Sequence, residues 1–558
     1  MAEATRTRSG SVLVAAGIFV SRVAGLVREI AIAAFLGAGT ATEAVRAAMR
    51  IPNLLQNLFG EGVLSASFIP VYAGLLEDGE HERAQRLAGA VLGLLAAVTT
   101  VLVVLGVLLA RPFTWLLTAG QLPDEVFEAT VPLVRIVTIG LGFLVISAWC
   151  LGVLNTHGRF FVSYAAPVAW NAVQIAVLVV VGLAGWAKLD IATALAWGVV
   201  VGGIAQVLVQ VPALREVASD VRPSLDRHTA EVRDVGRRFV PVLIGRGVIQ
   251  LSAYVDLLLA AILAQGALTV LGYAQVLYLL PIGLFAMSVA AAELPAMSRL
   301  TDDLVALAER ARRGFAQIGF FMCFTAVAYL TAGDLIVATL YQSIAGSIFG
   351  GTEFVDELVI STWLVLAALA LGLPAIGLSR LSQNTMFALG NTRGPAEIAV
   401  FRVLVSAVVG LVLAFQFDQV IVEGMTLIMP GDGFELSGPL SREERSVEDI
   451  FRLGAVGLAL GSALAAWVEL VLLERLIAKS LPRPPSAFHA LRRLARPSAL
   501  SFLAAAVLKT LTDGWPSPIA LLLTVGLAGG VYVVTCFRLG IGEADLILRP
   551  VRRFIWHR

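Results

Sequence analysis

Seven ionisable side chains crowd into a short stretch near the start of the chain: Arg22, Arg28, Glu29, Glu43, Arg46, Arg50 and Glu61. All of them interrupt otherwise apolar sequence. A charge at the centre of a bilayer costs about 2.5–3.5 kcal/mol on insertion scales, so a group of them is kept for chemistry or for pairing. Arg22 and Arg28 are six residues apart, ~9 Å along a helix and on different faces. Arg46 and Arg50 lie one turn apart on a single face. Two guanidiniums so placed suit an anion such as a phosphate. The competing reading of Glu43, Arg46 and Arg50 is a position near the outer interface, with the side chains reaching into water. For Arg28 and Glu29 it is an ion pair between helices. Glu61 stands between Gly60 and Gly62, where a helix can unwind and turn its backbone dipoles toward a ligand or ion. Its alternative is a capping role.

Later apolar runs carry Arg246, Gln250, Asp256, Gln275 and Glu293. Asp256 is the candidate for cation coupling, since a lone intramembrane carboxylate can bind Na⁺ or shuttle a proton. Another run ends in Glu469, Glu474 and Arg475, the last of these an interface anchor or a cavity-facing cation. No Walker loop, HExxH motif or nucleophile elbow occurs, so no catalytic residues and no ATP-driven engine are expected. Without an acid/base constellation beside the charges, a membrane-embedded transferase is the weakest reading. Cys150, Cys323 and Cys536 all lie in apolar runs and the five histidines lack ligand spacing, so neither a disulfide frame nor a metal site is expected.

The elements that must position these groups are membrane spans. Of 558 residues 58% are hydrophobic and 15% charged, against about 25% charged in a soluble domain. Mean hydropathy is +0.86, so lipid is the expected solvent. A net charge of +1 argues against a nucleic-acid partner. Runs long enough to cross fall at 10–36, 42–75, 86–110, 127–154, 160–184, 190–213, 239–263, 269–297, 314–333, 357–388, 396–416, 452–474, 497–512 and 516–538. The second is expected to break at Pro52 and at Gly60-Glu61-Gly62, and the short thirteenth is the least secure. The first run lacks a clear small-residue cleavage site, so a cleaved leader is not expected.

Alternate loops differ sharply in charge. One set holds Arg6, Arg8, Arg83, Arg159, the stretches 215–238 and 299–313, Arg393, and the stretches 475–496 and 538–558. The other holds only Arg111, Lys188, Arg442 and Arg445. This positive-inside bias predicts an even number of spans with both termini cytoplasmic. Loop 417–451 is then the longest outer segment. Acidic and rich in Gly and Pro, it is expected to be mobile.

A weak duplication runs through the chain. Gly37 and Pro52 recur as Gly266 and Pro281 at one offset, and Asn155 and Gly158 recur as Asn391 and Gly394 at a second, slightly longer one. The spacing equals six spans, which predicts a parallel repeat about an axis normal to the membrane. The expected fold is an all-α polytopic membrane protein of about 14 transmembrane helices, with two parallel six-helix lobes around a central cavity and two further C-terminal helices. Residues 1–225 would be the N-lobe, 226–480 the C-lobe with its outer loop 417–451, and 481–558 the last two spans and a cytoplasmic tail.

The stretches Ser21-Arg22-Val23-Ala24-Gly25-Leu26-Val27-Arg28-Glu29, Phe35-Leu36-Gly37-Ala38-Gly39-Thr40-Ala41-Thr42-Glu43, Arg50-Ile51-Pro52-Asn53-Leu54-Leu55 and Phe59-Gly60-Glu61-Gly62 resemble the N-terminal signature of the MurJ/MviN lipid II flippases. Similarity continues thinly through Leu154-Asn155-Thr156, Gly272-Tyr273-Ala274-Gln275 and Leu389-Gly390-Asn391-Thr392-Arg393. The resemblance places the chain in the multidrug/oligosaccharidyl-lipid/polysaccharide exporter superfamily. It implies an inner-membrane transporter, not an enzyme, that moves lipid II between leaflets by alternating access for cell wall biosynthesis. It also implies a tail groove at spans 13 and 14 and coupling to Na⁺, H⁺ or membrane potential without an organic cofactor. A monomer in contact with membrane lipids is expected. By position, Arg22, Arg28, Glu29, Arg46, Arg50, Asn53 and Glu61 would meet the substrate and Glu43 would serve the outer gate. Three positions depart from the family pattern. Gln56 and Asn57 stand where a basic pair is common, and Val276 stands where the second lobe usually carries an arginine. They leave open a flippase for another polyprenyl-linked glycan, of O-antigen or capsule type, or a non-transporting paralogue.

Overall fold

The computed structural model describes residues 2–59, 61–424, 426–429, 438–447 and 450–548. Helices dominate, because hydrocarbon offers the backbone no hydrogen-bond partner and each span must satisfy its own N–H and C=O groups. The chain divides into two compact units, residues 1–269 with 348–353, and residues 270–347 with 354–558.

The first unit holds α1 (Ala2–Phe35), α2 (Thr40–Phe59), α3 (His81–Leu108), α4 (Asp124–Thr156), α5 (Phe160–Leu183), α6 (Lys188–Val217) and α7 (Ala230–Ala261). Two short helices, Glu61–Ser67 and Ile69–Glu77, follow α2. Helix α2 runs through Pro52 without the expected break; of the other expected break, at Gly60-Glu61-Gly62, Gly60 lies outside the described residues. Helix α1 packs on α5, α2 on α4, and α6 on both α4 and α5. Helix α7 packs on α2 and on Glu61–Ser67. By contacts it therefore goes with the first unit, whereas the duplication groups it with the second half of the chain. Gly37 (φ +57°) turns the chain after α1. A side chain there would strike Glu353, whose N–H donates to the Ala34 carbonyl (3.0 Å). Lys188 pairs with the Glu353 carboxylate at 3.0 Å.

The second unit takes up most of α8 (Ala267–Pro281, continued by a π-helical turn Ile282–Met287 into Ser288–Ser298). It goes on through α9 (Leu304–Ala338) and α10, in two pieces, Asp356–Ala370 and Leu373–Ala388, bent by 43°. Then come α11 (Arg393–Phe417), α12 (Gly454–Ser480), α13 (Ala487–Leu511) and α14 (Ser517–Arg538). The helix at the thirteenth span begins ten residues before the apolar run, at a Ser486 cap whose hydroxyl accepts from the His489 N–H (3.3 Å). Glu474 adds a second cap by accepting from the Ala487 N–H and, at 3.3 Å, from the Phe488 N–H. Helices α13 and α14 pack on each other and on α9, so they are part of this unit.

Fourteen helices thus stand where fourteen apolar runs predicted spans. Among the described residues ten of them are long and apolar enough to cross a bilayer, eleven if the two pieces of α10 form one span. Part of the described stretch of loop 417–451 takes up regular structure. Strands β1 (Ile421–Glu423), β2 (Thr426–Ile428) and β3 (Phe451–Arg452) form an antiparallel sheet in the order β2-β1-β3. The short helix Arg442–Arg445 opens with a capping box in which Ser441 holds the Glu444 carboxyl below its usual range.

The duplication survives at the level of backbone turns. After α4 the Gly158 and Arg159 N–H groups donate to the Asn155 and Leu154 carbonyls. After α10 the Gly390 and Asn391 N–H groups donate to Phe387 and Met386. Both glycines have positive φ, +74° and +77°, as in a Schellman turn. The structural counterpart of Gly158 is therefore Gly390, not Gly394.

Helices α11 and α12 meet through small residues. A Cβ on Gly461 would lie 2.3 Å from the Gly410 Cα, and one on Gly457 would lie 2.3 Å from the Ala414 N. In lipid, helices associate by close packing of this kind. Gly461→Leu is expected to force the pair apart and destabilise the fold by about 2–3 kcal/mol. Thermal melting in detergent checks this, and a melting curve like that of the parent chain would show that the seam tolerates bulk.

Candidate functional site

In the first unit, α1 and α2 bring three of the predicted charges together. The Arg28 Nη2 donates to Glu29 Oε1 at 2.9 Å, and Arg46 Nη1 lies 2.7 Å from Glu29 Oε2. The side chains of Arg28, Glu29 and Arg46 are 16%, 4% and 14% exposed. Arg46 and Glu29 are therefore packed inside the unit and not extended to an interface. The Arg28–Glu29 contact lies within α1, and it is Arg46 that makes the bridge between helices. Arg28 and Arg46 are seven and six residues from the facing ends of their helices, about 10 Å of rise.

Helix α5 completes the cluster with two residues that the sequence reading did not single out. Asn171 Oδ1 accepts from Arg28 Nη1 at 3.1 Å, and its own amide is oriented by donating to the Pro167 carbonyl at 3.0 Å. The Trp170 ring lies 5.0 Å from the Arg28 guanidinium carbon, a cation–π distance. A side chain on Gly202 would strike Trp170, so α6 can approach only because that residue is glycine. The sequence signal for Asn171 was a carboxamide inside an apolar run. The buried Arg28 Nε has no hydrogen-bond partner among the described residues, and a guanidinium donor of this kind is what recognition of an oxyanion uses.

The other predicted positions separate. Arg22 is partly exposed, two turns back along α1. Arg50 is partly buried one turn beyond Arg46. Glu43 is buried, and its Oε1 accepts from the Gly266 N–H at 2.6 Å. Gln265 Nε2 donates to Thr40 Oγ1 at 3.1 Å. Glu43 thereby ties the start of α2 to the turn after α7. The side chains of Asn53, Gln56, Asn57, Glu61, Arg246, Gln250 and Asp256 lie outside the described residues. In the second unit Glu293 pairs with Arg310 (2.5 Å), and Arg475 is exposed.

The second unit has a charge cluster of its own, away from Val276, where the family pattern usually has an arginine. Glu469 on α12 is almost fully buried. Its Oε1 accepts from Gln383 Nε2 (2.8 Å), and its Oε2 lies 3.4 Å from Arg402 Nη1 on α11. Arg380, on the second piece of α10, is within electrostatic reach of Glu469, Arg402 and Tyr278. Arg380 and Arg402 both lie inside predicted spans, so the signal for them was their charge alone. A cavity of about 360 Å³ elsewhere in this unit, lined by Arg312, His489 and Arg493, opens where α13 begins and does not include the cluster.

The fold is shared with solved transporters. A structure described as "Lipid II flippase MurJ, inward closed conformation" superposes with a TM-score of 0.72 at 19% identity, covering 97% of this chain and 99% of the other. An inward-facing multidrug resistance MATE family transporter of the MOP superfamily superposes with a TM-score of 0.61 at 15% identity, covering 81% and 92%. The fold is that of a polytopic membrane protein of the kind these two structures share. Residues 32–425 match the family model described as Lipid II flippase MurJ. A probable lipid II flippase MurJ of Bdellovibrio bacteriovorus is 31% identical over 411 residues, 73% of this chain and 76% of the relative. The lipid II flippase MurJ of Burkholderia cenocepacia is 30% identical over 390 residues, 68% and 73%. The chain belongs to the MurJ family. The match begins after Arg28 and Glu29, so the α1 half of the cluster lies outside it.

Proposed function

We propose that this protein translocates lipid II, the undecaprenyl-pyrophosphate-linked peptidoglycan precursor, across the cytoplasmic membrane by alternating access. The observation that carries the reading is the Arg28–Glu29–Arg46 cluster inside the first unit, where Arg28 keeps a buried donor without a hydrogen-bond partner among the described residues. A pyrophosphate brings about two negative charges and needs cationic partners out of bulk water. The polyprenyl tail stays in lipid, in a groove at α13 and α14, and only the head group crosses. Arg22, Arg50, Asn53 and Glu61 would line its route, and Glu43 would latch and release the Gly266 turn as a gate. The protein would act as a monomer with both termini cytoplasmic. The departures at Gln56, Asn57 and Val276 favour, as a second reading, a head group other than that of lipid II on the same polyprenyl carrier. Leaflet-resolved measurement of lipid II in cells depleted of this protein tests the proposal. Build-up in the inner leaflet supports it, and normal outer-leaflet delivery counts against it.

Coupling would come from membrane potential or a Na⁺ or H⁺ gradient, with Asp256 as the coupling carboxylate and no organic cofactor. Asp256→Asn is then expected to weaken the ion dependence of transport severalfold. Unchanged Na⁺ and pH dependence would mark Asp256 as structural.

A further inference from the structure

We propose that Arg380 and Arg402 form a second anion-binding site, inside the second unit, that takes phosphate charge from the head group of the translocated lipid. This rests on the flippase reading above. The argument begins with a mismatch of charge. Two guanidiniums and one carboxylate make up the cluster, and the carboxylate is already in use. Gln383 holds one Glu469 oxygen at 2.8 Å, and Arg402 approaches the other at 3.4 Å, a loose ion pair. Among the described residues Arg380 makes no hydrogen bond or ion pair, and its Nε is buried without a partner. Arginine cannot escape by losing its proton, so the unit carries a permanent unbalanced positive charge.

Depth rules out a simple release into water. Arg380 is eight residues from the end of α10 at Ala388, Arg402 nine from the start of α11 at Arg393, and Glu469 eleven from the end of α12 at Ser480. At 1.5 Å per residue all three sit about 12–16 Å in from those ends, beyond the reach of an extended arginine side chain. A charge kept there only for stability would be paired, because a buried unpaired ion is costly. The same unit shows what such a satisfied pair looks like. Lys509 Nζ lies 2.8 Å from the Asp334 carboxylate and 4.7 Å from the Trp363 ring centroid. Arg380 has nothing comparable. Arg380 stands one turn before Gln383, which holds the same Glu469 carboxylate that Arg402 approaches; two guanidiniums gathered about one carboxylate suit an oxyanion, and a diphosphate would supply the missing negative charge.

The test uses the full-length protein in phosphatidylcholine nanodiscs, with undecaprenyl pyrophosphate as probe and uncharged undecaprenol as control. R380Q is expected to weaken undecaprenyl pyrophosphate binding about 10-fold, to leave undecaprenol binding unchanged, and to raise the ligand-free melting temperature by removing an unpaired charge. R380K, which keeps the charge but not the planar fork, should recover part of the affinity. Unchanged pyrophosphate binding in R380Q overturns the proposal. So does a ligand-free R380Q protein that melts earlier than the parent or fails to fold, because Arg380 would then be a structural cation. The flippase reading fails separately. If R380Q weakens pyrophosphate binding but depletion of the protein leaves lipid II delivery normal, the anion site stands and only the substrate is wrong.

Discussion

Arg28→Ala is expected to cut translocation of the proposed substrate by about 10- to 100-fold while leaving membrane insertion and thermal stability close to those of the parent chain. Arg28 keeps a buried Nε without a hydrogen-bond partner among the described residues, and it is held in place by Asn171 at 3.1 Å and by the Trp170 ring. Losing one charge-assisted contact to a phosphate costs about 1.5–3 kcal/mol, which sets the size of the effect. Stability should survive because Glu29 keeps Arg46 at 2.7 Å, and insertion should improve slightly because alanine is cheaper in hydrocarbon than arginine. Arg28→Lys keeps the charge but not the planar fork, so it should fall between the two. Complementation of a flippase-depleted strain, with membrane yield measured in parallel, reads both quantities. Normal growth on Arg28→Ala as the sole copy would refute the anion-binding role.

The second large effect runs the other way, through stability. Glu29→Gln leaves Arg28 and Arg46 buried together with no carboxylate between them. Removing one partner from a buried ion pair costs about 3–5 kcal/mol, and with Arg28 and Arg46 still 16% and 14% exposed the lower figure applies. A fall of several degrees in the melting temperature is expected, together with faster labelling of the buried Cys150 thiol. Adding Arg46→Met to Glu29→Gln should restore most of the loss, because it removes the repulsion as well as the attraction. A single Glu29→Gln substitution that melts like the parent, or a double variant no better than the single, would show that Glu29 does not hold this cluster together.

The helices themselves were legible. Every apolar run became a helix at its predicted place, because in lipid the backbone has no other way to satisfy its hydrogen bonds. The charges Arg28, Glu29, Glu43 and Arg46 were legible as well, since charge in an apolar run is conspicuous whatever surrounds it. Arg380 and Arg402 offered the same signal, but they lacked a neighbouring motif and went unremarked.

Pairing was decided only by tertiary structure. Arg28 meets Asn171 across 143 residues of chain and Glu43 meets Gly266 across 223. Gln383 reaches Glu469 across 86. A span that is apolar on every side does not announce which face turns inward, so helix periodicity could not say that Arg46 meets Glu29 across the two helices. Composition placed these charges in the membrane because hydropathy is a local property of the chain. Which of them are neutralised and which keep a surplus for a ligand depends on the approach of helices far apart in sequence. That approach is set by side-chain packing, such as Gly202 against Trp170 and Gly461 against Gly410.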